Sequence, residues 1–436
     1  MEFAALTAGA GHSLMSATPG PDLAARGYVE TEYSARGEVD GLTAAGPAPR
    51  AGFTTRVLVR RPTDPAAFSG TLVVEWLNVS SGADAAPEYT YLAEEVVRAG
   101  HAWAGVSAQY TGVQGGEAAV GIADAAGGLA AKDPARYAGM HHPGDAYCYD
   151  LFAAVARGLR DGPLTDLPVR TLLAVGESQS AMALTTYAVS FAAVHDVFDG
   201  FLIHSRSIAG LPLGPVGGPA DLAAAFDGPP TTFPDIGKPV FVVQTETDVL
   251  TDFRSHLARQ PDTDTVRTWE VAGCSHADLA QIGPFEEILG CPDPVNRGQQ
   301  RCVLRAALRH LDAWARGGAA PPTAPPLTVV GPDEDPVFAL DEVGNVRGGV
   351  RTPCVDVPTR VLSGVVTDPV SRICALFGTT TPLPDDVLAA RYTSPAAYLA
   401  AYAEAADAAI AAGFVLPEDR DELLAEATPE VLSSAS

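Results

Sequence analysis

The chain is short of lysine, of basic clusters and of long apolar runs, and each shortage removes a class of function. Lys132 and Lys238 are its only lysines in 436 residues, and 53 acidic against 28 basic residues leave a formal charge of −25. Binding to nucleic acid or to an anionic membrane surface needs clustered Lys and Arg that neutralise phosphate. The sequence contains no such cluster, so neither partner is expected. No run of about 18 apolar residues is free of charge, so no membrane span is expected. The N-terminal stretch MEFAALTAGAGHSLMSATPG has neither a basic n-region nor a long apolar h-region, which predicts a cytoplasmic protein. GxGxxG after the first strand and the P-loop are both missing, so no nucleotide cofactor is expected.

Cysteine is sparse, and its spacing excludes zinc ribbons and fingers, because no CxxC occurs. Cys291 with Cys302, or Cys354 with Cys374, could pair in an exported protein; buried free thiols are the expectation in a reducing compartment. His141-His142 followed by Asp145 superficially resembles a metal cluster, but Pro143 and Gly144 make it a turn. No metal is expected.

What is present is a globular composition, 47% apolar, long enough for one large domain or two ordinary ones. GYVETEYSARGEV and TTRVLVRRP alternate like strands. TLVVEWL reads as a strand and NVSSG as the loop after it. PEYTYLAEEVVRAG, with Pro at its start and Gly at its end, is punctuated as a helix. HAWAGVSAQY, TLLAVG, FDGFLIHSRS, KPVFVVQTETDV and TVRTWEV read as further strands. DAYCYDLFAAVARGLRD, with Asp145 as N-cap, SQSAMALTTYAVSFAA and RCVLRAALRHLDAWARGG read as helices between or after them. This alternation over residues 55–317 predicts an α/β domain with a mainly parallel sheet and helices on both faces. Residues 1–50 are expected as an N-terminal segment packing on a core of residues 51–318. A Gly/Pro-rich stretch at about 207–238 is expected as a short cap. The APPTAPP run near 319–326 marks a boundary or tether before a C-terminal region of strands and Ala-rich helices, 319–436.

In such sheets functional residues sit at the carboxyl ends of strands. Gly176-Glu177-Ser178-Gln179-Ser180 lies there, between an apolar strand and a helix. A nucleophile elbow needs small neighbours at its sharp turn and a helix N-terminus behind it. Gly176 meets the first need; Ser180 replaces the second glycine of G-x-S-x-G. Downstream, KPVFVV ends in Gln244-Thr245-Glu246-Thr247-Asp248, and WEVAGCSHADL places His276 after the next strand. The order Ser, acid, His is the one this architecture requires. Ser178 is therefore the candidate nucleophile, His276 the candidate base, and Asp248 or Glu246 the acid that orients it, with Asp248 preferred. Oxyanion donors are expected at Gln179 and, from the loop after TLVVEWL, near Asn78 or Val79; Trp76 and Asn78 would line the pocket. His141, His142, His256 and His310 read as surface-loop or partly packed histidines, and His204 as a packed one.

Taken together, VVEWLNVSSG, HHPGDAYCYDLF, VGESQSAMAL, DGFLIHSR, QTETDV, WEVAGCSHAD and GNVRGGVRTPCVDVP resemble the large bacterial "alpha/beta hydrolase domain-containing protein" family. The resemblance implies an α/β-hydrolase core, a serine triad with Ser178 and His276, and esterase activity on a small-molecule ester. It leaves Glu246 and Asp248 open, and implies that the region after residue 320 belongs to the same unit. Acyl transfer or thioester cleavage by the same triad, and a non-catalytic binding protein on the same fold, are the alternatives.

Overall fold

The computed structural model describes residues 1–11, 14, 20–119, 127–332 and 335–432. Residues 12–13 and 15–19 of the N-terminal segment, and 433–436 of the C-terminal region, lie outside them. Nine strands form one sheet in the order β1-β2-β3-β5-β4-β6-β7-β8-β9. They are β1 (Glu2–Ala5), β2 (Tyr28–Thr43), β3 (Gly46–Pro62), β4 (Thr71–Trp76), β5 (Ala102–Val106), β6 (Thr171–Glu177), β7 (Gly200–His204), β8 (Val240–Thr245) and β9 (Val266–Val271). β5, β4, β6, β7, β8 and β9 are parallel neighbours; β1, β2 and β3 join antiparallel at one side. The mainly parallel α/β sheet is thus present. β3 runs across residue 50, so the expected boundary there falls inside a hairpin strand.

The parallel strands are buried on both faces, which is why TLLAVGE reads as an unbroken small-apolar run rather than an alternating one. Side chains still alternate between two cores. Leu72, Val74, Leu172 and Ala174 pack against the helices Cys148–Asp161 and Gln179–Ser190. Val73, Leu173 and Val175 pack against the helices Pro87–Arg98 and Gln300–Ala315.

Three local expectations are corrected. Asp145 does not cap the helix at Cys148. It opens a 3₁₀ turn, Asp145–Tyr147, and its carboxylate accepts from Tyr110 N (2.6 Å) and Ala220 N (2.8 Å), pinning two loops instead. The strand read through KPVFVVQTETDV stops at Thr245, because Thr245 and Asp248 form a capping box that starts the helix Glu246–Leu250. His142 is fully buried, with Nε2 2.9 Å from Ala108 O, rather than partly packed in a surface loop.

The region after residue 319 rests on the core. Leu327, Val346, Val355 and Leu362 pack with Val249 and Ala272, and Val350 bridges to Val271 at the free edge of β9. The helix Pro395–Ala411 buries Tyr398 and Tyr402 against Leu383, Leu388 and Leu432. Among the described residues no helix is long and apolar enough to cross a membrane.

Candidate active site

Ser178 stands between the last residue of β6 and the first residue of the helix Gln179–Ser190, with φ 62° and ψ −122°. A non-glycine residue with positive φ is strained, and such strain gathers where the surrounding structure over-determines a functional geometry. Here the determinants are visible. Ser178 N donates to His204 O at 2.9 Å. Ser180 Oγ donates to Glu177 O at 2.7 Å and accepts from Glu177 N at 3.1 Å, lacing the turn together. A Cβ on Gly176 would meet Ser180 Oγ at 3.0 Å and Leu184 Cδ1 at 3.1 Å, so the first glycine is needed while the second position accommodates serine.

His276 lies in the loop after β9. Its Nε2 is 2.8 Å from Ser178 Oγ and its Nδ1 is 2.7 Å from Asp248 Oδ1. Its backbone N–H donates to Thr247 Oγ1 at 3.0 Å, and the Phe253 ring lies against the imidazole with centroids 4.4 Å apart. The second Asp248 oxygen accepts from Ser205 Oγ, Thr245 Oγ1 and Thr245 N, each at 2.7 Å. Burial alone would raise this carboxyl. Its electrostatic interaction and hydrogen bond with His276, and the hydrogen bonds from Ser205 and Thr245, hold it below the usual carboxylate range instead.

Glu246, two residues away, is equally buried but faces elsewhere. Its oxygens accept from Gly273 N (2.6 Å) and Gly364 N (2.8 Å), and burial pushes it up to about 7. The structure therefore brings Ser178, His276 and Asp248 together and leaves Glu246 as a clamp between the His276 loop and the C-terminal region.

The oxyanion expectations fare unevenly. Gln179 opens the helix, so its N–H is among those without an intrahelical partner. Across the gap, Asn78 N donates to Ala85 O (2.9 Å) and Val79 N to Gln179 Oε1 (3.1 Å), so neither is open as placed. Asn78 N is taken by the backbone bridge to Ala85, and Val79 N by the Gln179 side chain, which reaches back to the β4 loop. Asn78 Nδ2 donates to Glu177 O at 3.0 Å, and Asn78 lines the pocket. Trp76 does not. As the last residue of β4 it points into the core among Tyr149 and Phe152, with Nε1 on Gln109 Oε1 at 2.9 Å.

The family model of the alpha/beta hydrolase domain matches residues 3–425. The chain belongs to this family. No curated protein matches it. Solved structures similar to this alpha/beta hydrolase include a cold-adapted esterase from an Arctic intertidal metagenomic library (15% identity, 55% of this chain and 85% of that one, TM-score 0.31). A glucuronoyl esterase from Solibacter usitatus (9%, 62% and 80%, TM-score 0.32) and an esterase from Rhizomucor miehei (14%, 67% and 85%, TM-score 0.33) are also among them. At these scores they add nothing to the family match.

A cavity of about 480 Å³ opens over Ser178 and His276. Besides the loop after β4 (Asn78, Ser80, Ser81 and Ala85), three segments of the hydrolase wall it: Leu222 and Phe226 from the insertion between β7 and β8, Ile282 to Leu289 after His276, and Arg372 to Phe377 from the C-terminal region. Sequence reasoning missed the last of these. The disulfide joins Cys291 to Cys374 and so ties the second wall to the third; neither pair that spacing offered forms, and the expectation of buried free thiols fails for Cys291 and Cys374 but holds for Cys148, Cys274, Cys302 and Cys354. Ser205 was also missed. It stands just past β7 with φ 59°, and its serine after FLIH was the available signal.

Beneath Ser178, ligand atoms of Glu88, Glu177 and His204 lie within 4.8 Å of one another, close enough to hold a metal ion. They already form an ion pair, His204 Nδ1 to Glu88 Oε2 at 2.8 Å. Burial opposes the charged ring, but the Glu88 carboxylate raises His204 to about 9, and burial pushes Glu177 up to about 8. The ion pair engages one ligand atom each of His204 and Glu88, while Glu88 Oε1 and His204 Nε2 have no partner among the described residues.

Proposed function

We propose that this alpha/beta hydrolase is a serine esterase that cleaves carboxylic esters of small apolar molecules through an acyl-enzyme on Ser178. The supporting observation is the chain of contacts Asp248–His276–Ser178, at 2.7 and 2.8 Å, ending on a serine held at φ 62° in the floor of an apolar cavity. Ser178 Oγ attacks the acyl carbon while His276 Nε2 takes its proton. Asp248 keeps Nδ1–H pointed inward and balances the imidazolium. The oxyanion is received by the Gln179 N–H and by the loop after β4. There the Val79 N–H rests on a neutral amide oxygen, which a full negative charge outcompetes as acceptor. His276 then protonates the leaving alcohol, and water attacks the acyl-enzyme with His276 again as base.

The cavity lining is mainly aliphatic and aromatic, with Asn78, Ser80, Ser81, Gln281 and Arg372 among its polar members, which favours acyl or alcohol groups larger than acetyl. The test is hydrolysis of p-nitrophenyl esters of increasing acyl length by wild type and Ser178→Ala, with fluorophosphonate labelling alongside. Turnover and labelling that both vanish in the variant are expected. A wild type that neither turns over nor labels would overturn the reading and leave a binding protein on a hydrolase fold.

A further inference from the structure

Arg206 follows Ser205 at the carboxyl end of β7 and is 4% exposed. Buried guanidinium groups normally face a carboxylate, because an unpaired charge in a low-dielectric interior is costly. Arg206 has none. Its contacts are all neutral: Nη1 to Thr231 O at 2.9 Å, Nη2 to Ala258 O at 3.2 Å, and the Phe233 ring, 5.0 Å from Cζ to centroid. Nε is buried with no partner among the described residues. The nearby carboxylate, Glu270, is committed: both oxygens hold Arg259 at 2.6–2.7 Å and one also holds Leu327 N at 2.8 Å. Burial, with nothing to oppose it, pulls the Arg206 guanidinium down to about 10. Beside it lies a cavity of about 20 Å³, lined also by Gln244, the hydroxyl residues Ser255 and Thr268, Arg259 and the Arg259-paired carboxylate of Glu270. That volume admits one water or one small ion.

We infer that Arg206 and this cavity form a binding site for a small monovalent anion of chloride size. Arg206 and Arg259 against the single Glu270 leave one positive charge, and one halide neutralises it. The Nε–H donates to the anion, and Ser255 and Thr268 offer hydroxyl donors. The site is separate from the catalytic cavity and stands whether or not the protein is an esterase. It has a structural consequence, since Arg206 ties the insertion through Thr231 O to the Ser255–Ala258 turn, and a neutralised Arg206 would hold that tie more firmly.

The test is thermal unfolding of the full chain in chloride, bromide or gluconate at matched ionic strength. A saturable rise in Tm on the order of 2–5 °C in both halides, absent in gluconate, is expected. Arg206→Leu should lose the difference between anions. Should that variant fail to fold, wild-type crystals soaked in bromide decide the matter. An anomalous peak within hydrogen-bond range of Arg206 Nε supports the site; a cavity without one overturns it, as does a Tm that follows ionic strength alone.

Discussion

The floor of the cavity over Ser178 and its mouth are built by opposite means. At the floor the side chains of Ser178, His276 and Asp248 are linked by hydrogen bonds, and they and Ser205 come from the ends of adjacent parallel strands: Ser178 after β6, Ser205 after β7, Asp248 after β8 and His276 after β9. At the mouth the side chains are mainly apolar, partly exposed, and drawn from segments far apart in sequence. Phe285 is 50% and Ile288 75% exposed, and the bridge Cys291–Cys374 holds their segment to the C-terminal region. The sheet positions chemistry; later chain, added around it, shapes what reaches that chemistry. Changes at the floor should therefore act on kcat, and changes at the mouth on KM and acyl preference.

The largest break in this comparison comes from His276→Ala. Removing a triad base lowers kcat by about 10⁴–10⁶, with the cavity and its apolar binding intact. Steady-state kinetics on a short p-nitrophenyl ester, with Tm as a check on folding, would measure it. A loss under tenfold would remove His276 from the mechanism. Asp248→Asn should cost about 10³–10⁴ in kcat with little change in KM, because the amide favours the wrong imidazole tautomer.

Glu246→Gln tests the neighbouring carboxylate, and its expected effect is on stability. The amide places an N–H against Gly273 N or Gly364 N, at a cost of about 1–3 kcal/mol, while kcat stays within a few-fold. The pH dependence has a defined sign. Glu246 ordinarily titrates near 4.5 and is raised to about 7 in the folded protein. Between those values the folded state holds a proton that the unfolded chain releases. Its stabilising contribution is thus complete below about pH 4.5 and lost as pH rises through 7. Tm measured from pH 5 to 8 should fall less steeply in Glu246→Gln than in wild type. Identical slopes would show that Glu246 keeps its ordinary pKa.

Much of the floor was legible in the sequence. GESQS between an apolar strand and a helix announces an elbow, since few other features need a glycine two residues before a serine at that junction. His276 followed from its place after the next-but-two strand of the parallel set. The choice between Glu246 and Asp248 had its own signal in Thr245-x-x-Asp248, a capping-box spacing that turns Asp248 back toward the strand end. Trp76 misled because alternation along β4 sends it into the core, and parity at a strand's last residue is invisible without the register. The mouth was the less legible part. Its walls meet only through tertiary packing, and the pairing of Cys291 with Cys374 spans 83 residues, beyond what cysteine spacing can choose.

Two smaller changes would sharpen the contrast from the mouth side. Replacing both Cys291 and Cys374 by Ser removes the bridge and should lower stability by about 2–4 kcal/mol. It also frees the wall Ile282–Leu289 from Ile373 and Leu376. KM for long acyl esters should rise several-fold while kcat on acetyl esters holds, because the contacts of Ser178 and His276 do not include the bridge. Phe285→Ser should be the mildest. The side chain is half exposed, so stability should shift by less than about 0.5 kcal/mol. A phenyl ring at the cavity rim still covers the distal end of a long acyl chain. KM for octanoyl and longer esters should therefore rise about three- to tenfold, roughly the worth of one or two methylenes removed from water, with butyryl and shorter esters unaffected. If short and long esters lose equally, the mouth is acting on the floor, and the separation of the two regions fails.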